Sequence, residues 1–150
     1  MQSLIFFGSD EYSALVLTHL LDTRQSVRAI VTTTVSNSLV QLAKEQKIKV
    51  FIYPPKSDNL SKYIDTNTIG VSVSFGRILP TPLLALYPHG ILNFHPSLLP
   101  QYRNVAPVPY ALAMGDTLTG VTLSRMDEKI DKGEILTHAH EPILPDDTTP

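Results

Sequence analysis

Four short apolar runs, Leu4–Phe7, Val27–Thr32, Lys49–Ile52 and Ile69–Ser74, punctuate the first half of the chain, and a fifth ends on Asn93. Runs of this length, bounded by Gly, Pro and polar turns, read as strands buried on both faces. Between them the spacing changes. Tyr12, Leu15, Leu17, Leu20 and Leu21 recur at roughly helical intervals, and Leu39, Val40 and Ala43 form the inner face of a predicted helix from Ser36 to Lys47. Strands alternating with helices through short links imply right-handed βαβ units. The predicted fold is therefore α/β, a Rossmann-like open, mainly parallel sheet with helices on both faces.

Such sheets take their ligands outside the carboxyl ends of the strands. After the first strand comes Gly8-Ser9-Asp10-Glu11, where Gly8 allows a tight turn and Ser9 or Asp10 caps the helix. The free N–H groups of that turn suit an anion or a polar substrate, which makes Gly8, Ser9 and Asp10 candidate substrate contacts. An ordinary βα turn explains the same residues. The stretch is not a Gly-x-Gly-x-x-Gly fingerprint, so a dinucleotide has little support. Pro54-Pro55 ends the third strand, and Leu60 to Ile64 reads as a short, poorly capped helix. Ser74-Phe75-Gly76-Arg77-Ile78-Leu79-Pro80 leaves the fourth strand, with Gly76 permitting close backbone approach and Ile78 and Leu79 supplying apolar walls or helix-start packing. Pro82 to Leu86 reads as a helical turn, and His89 as a turn residue.

Asn93 and His95 lie two residues apart at the end of the fifth strand. Alternate side chains of an extended chain share a face, so the amide and the imidazole point the same way. Pro96 and Pro100 stop that strand from continuing as a central ladder member. Val105 to Met114 is predicted helical, with Pro107 and Pro109 in its first turn and Gly115 after its end. Gly120 to Met126 and Glu134 to His140 form a predicted antiparallel hairpin across the turn 128–133, and a carboxylate on that turn can close over the Asn93/His95 pair.

The chain has 150 residues, is 43% hydrophobic, and carries a formal charge of −2. That suits one domain with a real core and argues against nucleic-acid binding driven by charge alone. Cysteine is absent, which excludes disulfides, thiolate metal sites and a cysteine nucleophile. No metal site is expected: His138 and His140 share a strand face, but no third ligand stands at sensible spacing, so they read as solvent-facing. No run approaches the ~20 apolar residues of a membrane span, and Met1-Gln2-Ser3-Leu4 shows no signal peptide.

The segments Asn93-Phe94-His95-Pro96-Ser97-Leu98-Leu99-Pro100, Ala106-Pro107, Thr119-Gly120-Val121-Thr122 and Asp131-Lys132-Gly133 resemble the N10-formyltetrahydrofolate-dependent formyltransferase family. The resemblance runs from Leu4 onward and is most specific from Ser74 to Leu136. It implies transfer of a formyl group from 10-formyltetrahydrofolate, a co-substrate, to a primary amine, with Asn93, His95 and Asp131 at the reacting carbon. It further implies that Phe75, Gly76, Arg77, Ile78, Leu79, Leu84 and Asp127 hold the folate. Ser97 would either bond the substrate or hold its loop. Asn93 and a protonated His95 would supply oxyanion donors. Asp131 would favour the imidazolium and hold a water that relays protons between the two nitrogens.

Leu99-Pro100-Gln101-Tyr102-Arg103-Asn104-Val105-Ala106-Pro107 resembles the branch acting on methionyl-tRNA, where Arg-Gly-x-Ala-Pro is usual, and this adds Arg103 to the candidate substrate contacts. Asn104 stands where Gly is expected, and Asn is well able to share its positive-φ conformation. The basic insertion usual after the second strand is nearly absent between Thr34 and Ser36. Asp147 or Thr148 reads as the cap of a helix beyond the chain. The expectation is a catalytic domain spanning 1–150, incomplete at its C-terminus and without the tRNA-binding domain that usually follows. Initiator methionyl-tRNA is the implied partner of the whole protein, as a monomer or weak dimer. The compartment would be the cytosol or, as Phe75-Gly76-Arg77 with Tyr87–Asn93 resembles mitochondrial members, the mitochondrial matrix. A sugar-nucleotide N-formyltransferase and an inactive folate-binding remnant are the alternatives.

Overall fold

β1 (Ser3–Phe7) is buried at all five positions, because it lies at the centre of a sheet covered on both sides. The computed structural model describes residues 2–104 and 106–149. β1 pairs in parallel with β2 (Ser26–Thr32) on one side and with β4 (Thr68–Val73) on the other. β3 (Lys49–Ile52) extends the sheet beyond β2, and β5 (Ile91–His95) extends it beyond β4, both in parallel. β6 (Leu118–Arg125) and β7 (Ile135–Pro142) then add antiparallel strands, giving the order β3-β2-β1-β4-β5-β6-β7. The expected hairpin is thus present. The order reverses between β1 and β4, which opens a crevice at their carboxyl ends.

Two apolar layers follow from the alternation of β1. Ile5 and Phe7 face a cluster with Leu60, Leu79 and Tyr87. Leu4 and Phe6 face the opposite cluster. That second layer is closed by Ala14 and Leu17 of α1 (Glu11–Asp22) and by Leu39 and Ala43 of α2 (Ser38–Glu45). Asp10 caps α1, its carboxylate accepting from the Ser13 N–H while the Ser13 hydroxyl accepts from the Asp10 N–H, a reciprocal box. α2 is shorter than the expected Ser36–Lys47. Asn37 caps it, and Lys47, at φ 56°, lies beyond its end.

The expected helix at 60–64 is instead a short α3 (Ser57–Leu60) followed by a 3₁₀ turn, Ser61–Tyr63. α4 (Thr81–Leu84) starts one residue earlier than expected, with Pro82 in its first turn. α5 (Pro107–Ala113) has Pro107 in its first turn, while the expected start at Val105 lies outside the described residues. His138 and His140 are both exposed. Among the described residues, no helix is long and apolar enough to cross a membrane, and no group of three or more His, Asp or Glu side chains could hold a metal ion.

Candidate active site

Parallel and antiparallel register together build the floor of the site. Ser72 of β4 lies beside Asn93 of β5, which lies opposite Ser124 of β6. Directly paired residues point to the same side of a sheet, so a row of three polar side chains crosses three strands at their common end. Ser72 and Ser124 are almost completely buried. One rung further along, His95 is paired with Thr122. These residues, apart from Thr122, line a cavity of about 430 Å³ at the switch crevice.

The walls come from loops bent by left-handed residues. The chain leaves β4 through Ser74 at φ 50° and Gly76 at φ 68°. Past β5, Tyr102, Asn104 and Ala106 are left-handed at φ 52°, 76° and 59°, and Asp131 is at φ 50°. Asn104 therefore takes the conformation expected of a Gly at its position. Non-Gly residues in that region cost on the order of 1–3 kcal/mol each and cluster where a binding surface must be shaped.

Asp131 is fixed from three directions. The Asn104 N–H donates to Oδ2 at 2.8 Å, and Arg103 Nε donates to the Asp131 carbonyl at 3.1 Å. Its other oxygen, Oδ1, lies 3.5 Å from both Asn93 Nδ2 and His95 Nδ1. Two donors thus aim at one oxygen position, each at the outer limit of a hydrogen bond. Opposite Asp131, His95 Nε2 donates to the Tyr102 carbonyl at 2.9 Å. Both ring nitrogens face acceptors, and only the doubly protonated ring donates to both. His95 is 6% exposed, and the Asp131 side chain keeps 11% of its surface.

The expected site residues divide into two groups. Asn93, His95, Asp131, Phe75, Gly76, Arg77, Ile78, Asp127 and Asp10 line the cavity. Leu79, Leu84, Gly8, Ser9, Ser97 and Arg103 do not. Leu79 is fully buried in the core, and Leu84 packs against that core, while Ile78 stays 54% exposed. Gly8 is packed under α1: a Cβ there would meet Ser13 Cβ at 2.5 Å. The Ser9 hydroxyl donates to the Phe75 carbonyl and accepts from the Thr33 N–H, tying together three loops. Ser97 holds its own loop, donating to the Gln101 carbonyl at 2.6 Å. Arg103 is engaged with the Asp131 backbone.

Several lining residues were missed. Ser72, Ser124, Arg125, Met126, Lys129 and Ile130 join the cavity. Ser72 had a signal, as a polar residue near the end of a mostly apolar strand. The Asp127 carboxylate accepts from the Lys129 N–H at 2.8 Å, which shapes the turn that brings Lys129 and Ile130 to the rim. The Tyr102 carbonyl and the Asn104 N–H left no trace in side-chain chemistry, because they act through the backbone.

Comparison with known proteins agrees with this geometry. Residues 1–150 match the family described as Formyl transferase. A methionyl-tRNA formyltransferase of Listeria monocytogenes serotype 4a is 35% identical over 167 residues, covering 99% of this chain and 52% of the relative. One from Myxococcus xanthus is 45% identical over 96 residues, covering 64% of this chain and 30% of the relative. The crystal structure of phosphoribosylglycinamide formyltransferase from Bacillus halodurans superposes with a TM-score of 0.81 at 24% identity, covering 99% of this chain and 83% of that one, which shows the shared fold. The chain spans about half the length of the curated methionyl-tRNA formyltransferase from Listeria. The chain belongs to the formyl transferase family.

Proposed function

We propose that the site transfers a formyl group from 10-formyltetrahydrofolate to the amino group of methionyl-tRNA. The observation that carries this reading is the convergence of Asn93 Nδ2 and His95 Nδ1 on one oxygen, Asp131 Oδ1, 3.5 Å from each. Attack of an amine on a formyl carbon drives negative charge onto the formyl oxygen, and preorganised donors stabilise that charge. Asn93 and His95 supply two such donors, and their loose contacts leave room to shorten onto a substrate oxygen. As the new C–N bond forms and the bond to the folate nitrogen breaks, one proton leaves the amine and one reaches the folate nitrogen. Asp131 and a water beside it carry that proton across.

The cavity suits a flat heteroaromatic donor. Phe75, Ile78, Met126 and Ile130 give it apolar walls, while the backbone at Gly76 and Arg77 and the Asp127 carboxylate offer polar edges. A volume of about 430 Å³ lies within the range that holds small ligands. The names of relatives at 35% and 45% identity, both methionyl-tRNA formyltransferases, support that acceptor.

The test is a formyl-transfer assay with 10-formyltetrahydrofolate against methionyl-tRNA, glycinamide ribonucleotide and an amino-sugar nucleotide. Methionyl-tRNA should be formylated, and Asn93→Ala should lower turnover by ~10²–10³, the usual effect of losing one oxyanion donor. Transfer to another acceptor alone would overturn the acceptor assignment. Folate binding with no acceptor turned over would overturn the enzymatic reading.

A further inference from the structure

Tyr102 touches His95 through its main chain and a distant part of the fold through its side chain. Its carbonyl accepts from His95 Nε2 at 2.9 Å. Its phenol donates to Asp116 Oδ2 at 2.7 Å. Between the two, its backbone is held at φ 52°, a region an L-residue with a large side chain enters only under constraint.

Asp116 is a firm anchor. α5 ends in a nested pair of hydrogen bonds: the Gly115 N–H donates to the Leu112 carbonyl at 3.0 Å, and the Asp116 N–H to the Ala111 carbonyl at 3.1 Å. Asp116 therefore sits rigidly between the end of α5 and the start of β6. The hydrogen bond to Asp116 and the charge of that carboxylate, together with burial, raise the pKa of the Tyr102 hydroxyl, so the phenol stays protonated and remains the donor.

We propose that Tyr102 is a positioning residue for His95, its phenol clamped by Asp116 so that its strained backbone keeps the carbonyl on Nε2. The proposal rests on the reading of His95 as a donor to the reacting oxygen. With the clamp released, the left-handed residue relaxes, since the hydrogen bond that offset its unfavourable conformation is gone. The carbonyl then swings away, Nε2 loses its acceptor, and the ring no longer holds Nδ1 toward Asp131. Arg103 and Asn104 follow in the same loop and grip Asp131, so the clamp steadies both partners of the imidazole–carboxylate pair.

The test compares Tyr102→Phe, Asp116→Ala and Asp116→Asn in the intact protein by two readouts. The first is the NMR signal of the His95 Nε2–H, a marker of its acceptor that needs no turnover. In the wild type it should be visible and slow to exchange with solvent. Tyr102→Phe and Asp116→Ala should broaden it or speed its exchange at least tenfold. Asp116→Asn, whose amide oxygen still accepts from the phenol, should restore it. The second readout is formyl transfer: kcat should fall about tenfold in the first two variants, with KM for the folate donor within twofold of the wild type. An unchanged His95 signal in folded Tyr102→Phe and Asp116→Ala overturns the proposal. A changed signal in a protein that transfers no formyl group to any acceptor keeps the clamp and overturns the function instead.

Discussion

The Asn104 N–H meets the Asp131 carboxylate at 2.8 Å, and both residues hold left-handed backbone, at φ 76° and 50°. Two bent loops, one after β5 and one after β6, thus lock through this bond and the one that Arg103 Nε donates to the Asp131 carbonyl. Replacing Asp131 by Asn keeps an acceptor for Asn104 but removes the charge facing His95. Turnover should fall by ~10² or more, the usual scale for lost general acid–base work, while the melting temperature changes little. Steady-state kinetics beside calorimetry separates the two. Wild-type turnover in Asp131→Asn would remove the carboxylate from the reaction.

Asn104 itself is a test of backbone geometry. Asn104→Gly should preserve activity and stability, because Gly takes a positive φ without strain. Asn104→Val should cost ~1–2 kcal/mol and lower turnover, since a branched side chain resists the left-handed region. Chemical denaturation of the two variants, run with activity assays, decides it. Equal behaviour of Gly and Val at this position would show that the turn does not depend on its φ.

Tyr87 is buried in the core against Phe7, and among the described residues its hydroxyl has no hydrogen-bond partner. Burial pushes the pKa of that hydroxyl up. A buried donor without an acceptor carries its desolvation penalty uncompensated. Tyr87→Phe should therefore stabilise the fold by about 1 kcal/mol, read as a rise in the denaturation midpoint with an unchanged slope. Destabilisation would mean that the hydroxyl has found a partner in solution.

Acid stability should report on Asp65. The Asn67 N–H and the Thr68 hydroxyl, with Arg28 at 2.7 Å, hold its pKa below the usual value. A depressed folded-state pKa adds stability above the unfolded value, near 3.9, and that stability is lost as pH falls through the folded value. Asp65→Asn should flatten the stability–pH curve below about pH 4 and leave its shape at neutral pH unchanged. Identical acid limbs in wild type and variant would show that Asp65 is not linked to folding.

The strands were legible because each apolar run is short and bounded by turn residues, and the Asn93/His95 pair because strand alternation is local. Asp131 entered through family resemblance. Its approach to the pair depends on a turn between β6 and β7 that no local pattern specifies. Leu79 and Leu84 were misplaced for a physical reason. An apolar residue just after a strand can face a cavity or the core, and in the turn before α4 the neighbours Ile78 and Leu79 part, one lining the cavity and the other buried in the core. The row Ser72, Asn93 and Ser124 joins three distant stretches and exists only once the pairing register is set. The left-handed backbone at Tyr102 and Ala106 was invisible because neither is Gly, Asn or Asp, the residues that advertise such a conformation.

That row couples chemistry to assembly. Side chains along a strand alternate, so sliding β5 by one residue against β4 would carry the amide and the imidazole to the reverse side of the sheet together. A misaligned molecule would thus be silent rather than sluggish. Formyl transfer per mole of chain would count how many copies had zipped up correctly, a fidelity gauge written into the weave of the strands.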